Sequence, residues 1–255
     1  MRIHVERAPF AQEGRDMARV AVVFPAYNEE AHVAEAVAAA LAAGVGKVVV
    51  VNDCSTDGTA AVIDGLSASD ARVSAVHHDV NMGKQAAVKT GLARALEQPV
   101  CEAFSVLDSD MQNDPSLLPG MCPLIGPYDM VIGCRDRSEM PAVRQLANTA
   151  SNLPYRLLAA MRITDVQSGY RIYSRETAQC LAERLAVHGR YTFEHTSLLL
   201  IGKDFAARGR DLRIAEVTIP CPYGDSASNI RARDKLQLTW ASFADAIRLA
   251  RLQRG

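Results

Sequence analysis

Short apolar runs alternate with polar clusters and helix-favouring segments along the first half of the chain. Each run has the length of a strand and is nearly continuous in apolar residues, as in strands that are buried on both faces. The predicted strands are 20–24, 47–51, 72–77 and 103–107. The segments 31–43, 60–66 and 85–96 favour helices. This order predicts repeated strand–loop–helix units.

The second half continues the same organisation with different signals. Residues 212–219 alternate apolar and polar positions, as in a half-buried strand. Further strands are predicted at 128–133 and at the end of 164–173, and helices at 143–160, 176–185, 194–208 and 236–252. We expect a disordered leader at 1–18, one domain at 19–235, and an amphipathic helix at 236–255 that packs on the domain, a partner or a membrane surface.

Strands that alternate with helices predict an α/β fold with a mostly parallel sheet and right-handed crossovers. Such sheets bind ligands in the crevice beyond the carboxyl ends of their strands. The polar clusters after the first four predicted strands all lie at that edge. We see no linker that would divide the chain into two independent domains.

Composition narrows the function. The chain has 255 residues, 49% of them hydrophobic, and a net charge of -1 without a basic run, which argues against a nucleic-acid partner. Its six cysteines are scattered, which favours free thiols in a reducing cytoplasm. No apolar run is long enough to span a bilayer. We therefore expect a cytoplasmic protein whose contact with a membrane, if it has one, is peripheral.

The sequence Asp108-Ser109-Asp110-Met111-Gln112 follows the fourth predicted strand directly. Residues two apart in an extended segment project the same way, so Asp108 and Asp110 can bind one cation, joined by Gln112 if the extension continues. Carboxylate oxygens together with substrate phosphates are a common protein setting for Mg²⁺. An isolated D-x-D more often only solvates a loop, so the neighbouring motifs decide between the two interpretations.

Six motifs in order resemble the family 2 glycosyltransferases with the GT-A fold, most closely the dolichol-phosphate and undecaprenyl-phosphate sugar synthases. They are PAYNEE at 25–30, NDCSTDGT at 52–59, NMGK at 81–84, DSDMQ at 108–112, DVQSGYR at 165–171, and the segment 219–230. The chain departs from the family pattern at Asn52, where a second Asp is usual, and at Cys54. These departures leave a uridine and a guanosine donor both open.

The resemblance implies a site for a nucleotide-diphosphate sugar and for Mg²⁺ or Mn²⁺. The implied metal ligands are Asp108, Asp110 and Gln112. The implied donor-binding residues are Pro25, Tyr27, Glu29, Asp53, Lys84, Asp108, Ser109, Asp110, Arg135 and Arg231. Tyr27 can equally plug the sheet edge, and the loop that carries Arg231 can either close over the donor or stay on the surface.

Three residues are predicted to act in catalysis: Lys84, Arg135 and Asp165. Cations stabilise the charge that grows on a leaving diphosphate, and Arg135 ranks ahead of Arg144 and Arg171 for this role. Asp165 is a candidate base or a turn residue that caps local amides. A hydroxyl acceptor needs a base, for which Asp165 and Glu194 are candidates, whereas a phosphate acceptor is already ionised.

The resemblance thus implies an inverting, metal-dependent transfer of a sugar to a polyprenyl phosphate. Transfer to a hydroxyl acceptor, and a non-catalytic protein that binds nucleotide sugars, are the alternatives. A nucleotidyltransferase would carry a Gly-rich phosphate loop after its first strand, and residues 25–30 have none. A homodimer and a peripheral membrane contact through the terminal helix are both open.

Overall fold

The computed structural model of the chain describes residues 2–12, 14–136, 142–158, 161–186 and 193–220, together with positions 244, 247, 248 and 251. In this part the strands are β1 (Ile3–Arg7), β2 (Val20–Ala26), β3 (Lys47–Asn52), β4 (Val73–His77), β5 (Ala103–Val106), β6 (Met130–Arg135), β7 (Arg171–Ser174) and β8 (Leu212–Ile219). The helices are α1 (Val33–Ala42), α2 (Thr59–Ser69), α3 (Lys84–Leu96), α4 (Leu118–Met121), α5 (Ala142–Leu158), α6 (Arg175–Arg184) and α7 (Phe193–Ala207).

All eight strands form one sheet in the order β1-β8-β6-β7-β5-β2-β3-β4. β7 runs antiparallel to both of its neighbours, and every other adjacent pair is parallel. The predicted α/β class with a mostly parallel sheet in a single domain is therefore confirmed. The antiparallel β7 has a consequence for the site, because the loop that leads into it arrives at the edge where β5 and β6 end.

Helices cover both faces of the sheet, which explains the continuous apolar runs. Successive side chains of a strand point to opposite faces. Val48 and Val50 accordingly belong to the core that includes residues of α1 and α2, whereas Val49 and Val51 belong to the core built with α3, α6 and α7. Fully burying a valine is worth roughly 1.5–3 kcal/mol, so these strands hold the sheet between its two helical layers.

Glycine allows α3 to approach the sheet closely at one position. A Cβ atom on Gly91 would lie 2.3 Å from Cγ1 of Val23 in β2. No larger residue fits there unless the helix or the valine moves. This contact fixes the height of α3 above the sheet, and α3 carries Lys84 at its first turn.

The prediction of a disordered leader is wrong for β1. Ile3–Arg7 pairs in parallel with β8, with Ile3 opposite Leu212 and Val5 opposite Ile214. The strand contains only these two apolar residues in alternation, which is too short a pattern to separate an edge strand from a polar leader. The backbone of Ala8 continues the contact through a hydrogen bond to the Glu216 carbonyl.

The other elements lie close to their predicted positions. β6 begins two residues later than the predicted strand at 128–133, and α5 remains helical through Pro154. The terminal helix predicted at 236–252 lies largely outside the described residues, although the four described positions there are helical. The loop at 220–230 also lies outside them. Within the described part of the chain, none of the helices combines the length and the apolar character needed to cross a membrane.

Candidate functional site

Three loops meet at the carboxyl edge formed by the adjacent strands β5, β2 and β3. The Ser109 hydroxyl donates to the Pro25 carbonyl at 3.2 Å, which joins the loop after β5 to the end of β2. The Asn28 amide donates to Oγ of Ser55 at 3.0 Å, which joins the loops after β2 and β3. The polar clusters predicted to converge on one edge are therefore brought together.

Carboxylates crowd the centre of this edge. Burial is the main cause that raises the pKa of Asp110, and the neighbouring charge of Asp108 raises it further. Burial likewise raises the pKa of Glu29, with added repulsion from Asp110 and Asp108. Negative charge is thus held at an electrostatic cost, and a divalent cation between Asp108 and Asp110 would remove that cost.

The donor set fits a hard divalent ion in part. Carboxylate oxygens suit Mg²⁺ and Mn²⁺. Among the described residues, however, no group of three or more His, Cys, Asp or Glu side chains is arranged to hold a metal. Two carboxylates suffice only if a ligand supplies further oxygens, as a diphosphate does. The residues therefore fit an ion that binds together with a diphosphate.

The extension that would align Gln112 with the two aspartates does not continue past them. Extension ends at Val106 in β5, the chain turns at Ser109 and Asp110, and Met111 has a φ of 61°. Gln112 is exposed and contributes its backbone amide, which donates to Oδ1 of Asp110 at 3.0 Å. This bond orients the Asp110 carboxylate, and a ligand role for the Gln112 side chain stays a prediction.

Lys84 lies between two carboxylates. Its Nζ is 2.7 Å from Oδ1 of Asp108 and 3.0 Å from Oε1 of Glu194. Burial alone would lower the pKa of Lys84, but Asp108 and then Glu194 outweigh it and raise that pKa. Lys84 is therefore charged at any physiological pH. Lys84, a predicted catalytic cation, thus contacts Asp108, a predicted metal ligand, and Glu194 is the third member of this charged group.

Asp53 organises the loop that precedes α3. Its carboxylate accepts from the amides of Met82 at 2.9 Å and Gly83 at 2.6 Å, and it lies 2.8 Å from Nδ1 of His78. His78 also contacts Oγ1 of Thr90 at 3.0 Å. Asp53 is 3% exposed. The residue predicted to lie near the nucleotide base therefore also has a structural role in this loop. Sequence reasoning missed His78 as its partner, because only the paired β3 and β4 bring the two together.

Tyr27 is the most exposed of the predicted donor-binding residues that the structure describes. The residue is 47% exposed, and Glu29 and Pro25 lie partly buried beside it on the same loop and strand end. A burial role as a plug of the sheet edge does not fit this exposure. The ring instead offers a flat apolar surface next to the carboxylates.

Arg135 and Asp165 form a bidentate ion pair. Nε of Arg135 is 2.7 Å from Oδ2 of Asp165, and Nη2 is 2.9 Å from Oδ1. The Asn148 amide also donates to Oδ1 of Asp165, at 3.0 Å. Asp165 is 2% exposed. The Arg135 backbone amide also donates to Oδ2 at 3.4 Å, so four hydrogen bonds hold the Asp165 carboxylate, which in turn holds the Arg135 guanidinium at the end of β6.

Arg171, a candidate for a phosphate contact ranked below Arg135, is buried behind the site and contacts Glu194 rather than solvent. It is fully buried and donates to the carbonyls of Ser168, Val166 and Glu194 and to Oγ of Ser197. These hydrogen bonds engage Nε, Nη1 and Nη2 of the guanidinium and connect the loop before β7 to α7. The side chain of Arg144 and all of Arg231 lie outside the described residues.

Comparisons with known proteins place the chain in a family. Residues 21–181 match the family model described as Glycosyl transferase family 2. Glycosyltransferase AglD of Haloferax volcanii is 29% identical over 235 residues, which cover 87% of this chain and 36% of AglD. Undecaprenyl-phosphate mannosyltransferase of Micrococcus luteus is 28% identical over 173 residues, which cover 64% of this chain and 69% of the relative.

A solved structure shares the fold. Glucosyl-3-phosphoglycerate synthase from Mycobacterium tuberculosis, in complex with Mn²⁺, uridine diphosphate and phosphoglyceric acid, aligns with a TM-score of 0.65 and 18% identity, covering 96% of this chain and 86% of that one. The chain spans little more than a third of the length of AglD. The predicted GT-A fold is confirmed by this alignment. The family match over most of the sheet confirms the predicted class, and the chain belongs to glycosyl transferase family 2.

Proposed function

We propose that this protein transfers a sugar from a nucleotide-diphosphate donor to a polyprenyl phosphate, with inversion at the anomeric carbon and with Mg²⁺ or Mn²⁺ bound. The family match supports sugar transfer. The Micrococcus luteus relative carries undecaprenyl phosphate in its name, which supports a lipid phosphate as the acceptor. The structure of the Mycobacterium tuberculosis enzyme contains Mn²⁺ with uridine diphosphate, which supports a divalent ion beside the donor.

On the donor side, Asp108 and Asp110 would hold the ion, which when bound would supply charge neutralisation for the leaving diphosphate. Tyr27 offers its exposed ring to the nucleotide, and Pro25, Glu29 and Asp53 shape the wall beside it. Ser109 keeps the loop after β5 against β2 through its bond to Pro25. Lys84 stands 2.7 Å from Asp108 and adds positive charge at the place where the diphosphate must lie.

The observation that carries the choice of acceptor is the engagement of the two candidate bases. Asp165 accepts from Arg135 and Asn148, and Glu194 is paired with Lys84 at 3.0 Å. In spite of its burial, the charges of Lys84 and Arg171 lower the pKa of Glu194, so Glu194 is a weak base. Asp165 is buried and its oxygens are occupied by donors from Arg135 and Asn148, so an acceptor hydroxyl has little access to it. A phosphate acceptor needs no base, since its second pKa is about 6 and it is largely dianionic near neutral pH. The described residues therefore favour a phosphate over a hydroxyl as the acceptor.

On this proposal Asp165 is a positioning residue, and Arg135 is the group that meets phosphate. The bidentate contact holds the guanidinium at the end of β6, with its orientation fixed. An arginine in this place stabilises the negative charge of the incoming acceptor or the leaving diphosphate.

The test is a panel of uridine- and guanosine-linked sugars with Mg²⁺ or Mn²⁺, offered together with polyprenyl phosphate or with soluble sugar hydroxyls. We expect metal-dependent transfer to the lipid phosphate, and its loss in Asp110→Ala. Transfer to hydroxyls alone would contradict the acceptor. Donor binding without turnover under every condition would favour the non-catalytic alternative.

A further inference from the structure

A second pocket lies on the sheet face beneath the C-terminal half of α5. Its volume is about 490 Å³. The edge strand β1, the buried strand β8 and the segment that follows α5 enclose it. Its lining is Val5, Arg7, Thr149, Asn152, Leu153, Arg156, Arg162, Ile163, Thr164 and Glu216.

Topology separates this pocket from the donor site. β1 is four strands away from β5, which is about 19 Å at the usual strand spacing. Asn152 also forms a wall between the pocket and Asp165, because its side chain bonds Asn148, the Thr164 carbonyl and the Val166 amide. The arginine at the end of β1 is therefore far from the proposed metal ligands after β5, and Asn152 lies between the pocket and Asp165.

Three arginines converge on the pocket from three different elements. Arg7 is the last residue of β1, Arg156 is in the last turn of α5, and Arg162 precedes the buried Ile163. All three are exposed, and none of their side chains has an ion pair or hydrogen bond with another described residue. Several other described arginines, such as Arg72 with Asp70, are paired. The three cationic groups are therefore available to a ligand.

A buried carboxylate at the floor of the pocket does not cancel this charge. Glu216 is 3% exposed, and its two oxygens accept from the amide and the hydroxyl of Thr164, each at 2.7 Å. Three guanidinium groups against one carboxylate leave an excess of two positive charges. Guanidinium groups bind phosphate oxygens through paired, charge-assisted hydrogen bonds.

We propose that this pocket binds a phosphate group, at a site separate from the donor and its metal. The phosphate can belong to a free anion or to a lipid headgroup. Exposed Leu153 and Leu157, at 44% and 72%, stand beside the pocket on α5 and would meet acyl chains in the second case. The proposal does not depend on the transfer reaction, because none of its arginines belongs to the donor site.

The experiment compares the wild-type chain with Arg7→Gln/Arg162→Gln, without divalent metal. One arm titrates inorganic pyrophosphate by calorimetry, and the other measures sedimentation with phosphatidylglycerol-containing vesicles against pure phosphatidylcholine. The matched control is Arg72→Gln/Arg94→Gln, which removes the same charge from exposed arginines paired elsewhere. Circular dichroism and thermal unfolding establish that each variant is folded.

We expect the pocket variant to bind at least one probe about tenfold more weakly, which corresponds to ~1.4 kcal/mol, while the control stays within twofold of wild type. Loss confined to pyrophosphate identifies a free anion, and loss confined to anionic vesicles identifies a headgroup. Equal binding by the folded pocket variant and the wild type in both arms would overturn the proposal. So would an equal loss in the control, or no binding of either probe by the wild type.

Discussion

At the scale of single residues, the candidate site contains some charged side chains that are paired with an opposite charge and some that are not. Lys84 is paired with Asp108 and Glu194, and Arg135 is paired with Asp165. Asp110 and Glu29 form no ion pair with another described residue, and burial and repulsion raise the pKa of both. On the proposed function, activity and stability therefore conflict at Asp110, because the charge proposed to bind a metal is costly to the fold.

Asp110→Asn should stabilise the metal-free protein and at the same time abolish metal-dependent transfer, with a loss of at least about 100-fold. The pKa of Asp110 is higher in the folded state than its ordinary value of 3.8. The favourable contribution of the protonated carboxyl to the free energy of unfolding is therefore fully present below pH 3.8 and is lost as pH rises through the folded-state pKa. The gain in unfolding temperature should therefore be largest at neutral pH and vanish toward pH 4. Thermal unfolding in chelator from pH 4 to 8 measures this.

The control for that variant is Asp114→Asn, which removes the same charge from an exposed residue. Asp114 caps a short 3-10 turn through the Ser116 amide at 2.8 Å, and Asn caps about as well as Asp, so this variant should change stability by less than about 0.5 kcal/mol. An Asp110→Asn protein that is less stable than wild type at pH 7 without metal would contradict the stated cost of the Asp110 charge.

The Arg135 and Asp165 pair can be tested by a double-mutant cycle. If Asp165 acts through Arg135, the variants Asp165→Asn and Arg135→Gln should each lower kcat, and the double variant should lose little more than the worse single variant. We expect a coupling of roughly 1–3 kcal/mol in the transition state. If Asp165 is a positioning residue, the acidic limb of the pH profile of kcat/KM should persist in Asp165→Asn. If Asp165 were a general base, that limb would disappear in the variant.

At the scale of elements, the approach of α3 to β2 places Lys84 at the sheet edge. Gly91→Ala would put a Cβ 2.3 Å from Val23, and the cost of overpacking should exceed the gain in helix propensity, for a net destabilisation of about 1–2 kcal/mol. Gly65→Ala on α2 is the matched control, since no atom lies within 4 Å of the added Cβ. It should stabilise by ~0.5–1 kcal/mol. Urea denaturation measures both, and a stable Gly91→Ala protein would refute the close packing.

At the scale of the whole molecule, β1 closes one side of the sheet. Deletion of residues 2–7 removes the buried Ile3 side chain, worth roughly 1.5–3 kcal/mol, and uncovers the hydrogen-bonding edge of β8. We expect a lower unfolding temperature and association that increases with concentration, measured by calorimetry and light scattering. His4→Ala, which loses only an exposed contact with Asp211, should change neither by much. A monomeric deletion variant of wild-type stability would show that β1 is dispensable.

The sequence predicts most of this architecture because strands buried on both faces leave long apolar runs, as in β2 and β3. It does not predict β1, because the two apolar residues of this strand are recognisable as a strand only from their pairing with Leu212 and Ile214, far along the chain. The same limit applies within the site. Asp108 and Asp110 stand out as a local pattern, but Lys84 meets Glu194 across 110 positions, and Arg135 meets Asp165 across 30. Such pairings depend on the order of the strands in the sheet, which cannot be read from a short stretch of sequence.

The reversed direction of β7 has a further result for how such a site can change. In a wholly parallel sheet, only outgoing connections line the ligand-binding edge. Here one incoming connection, residues 161–170, lies between the exits of β5 and β6. Lengthening or shortening it near Asp165 would move that carboxylate, and with it the guanidinium that Asp165 holds. The other end of the connection is less free to change, because a Cβ on Gly169 would lie 2.7 Å from Oδ2 of Asp108. The part of the crevice around Asp165 can thus be remodelled for a new recipient molecule, provided that the stretch at Gly169 keeps its close approach to Asp108.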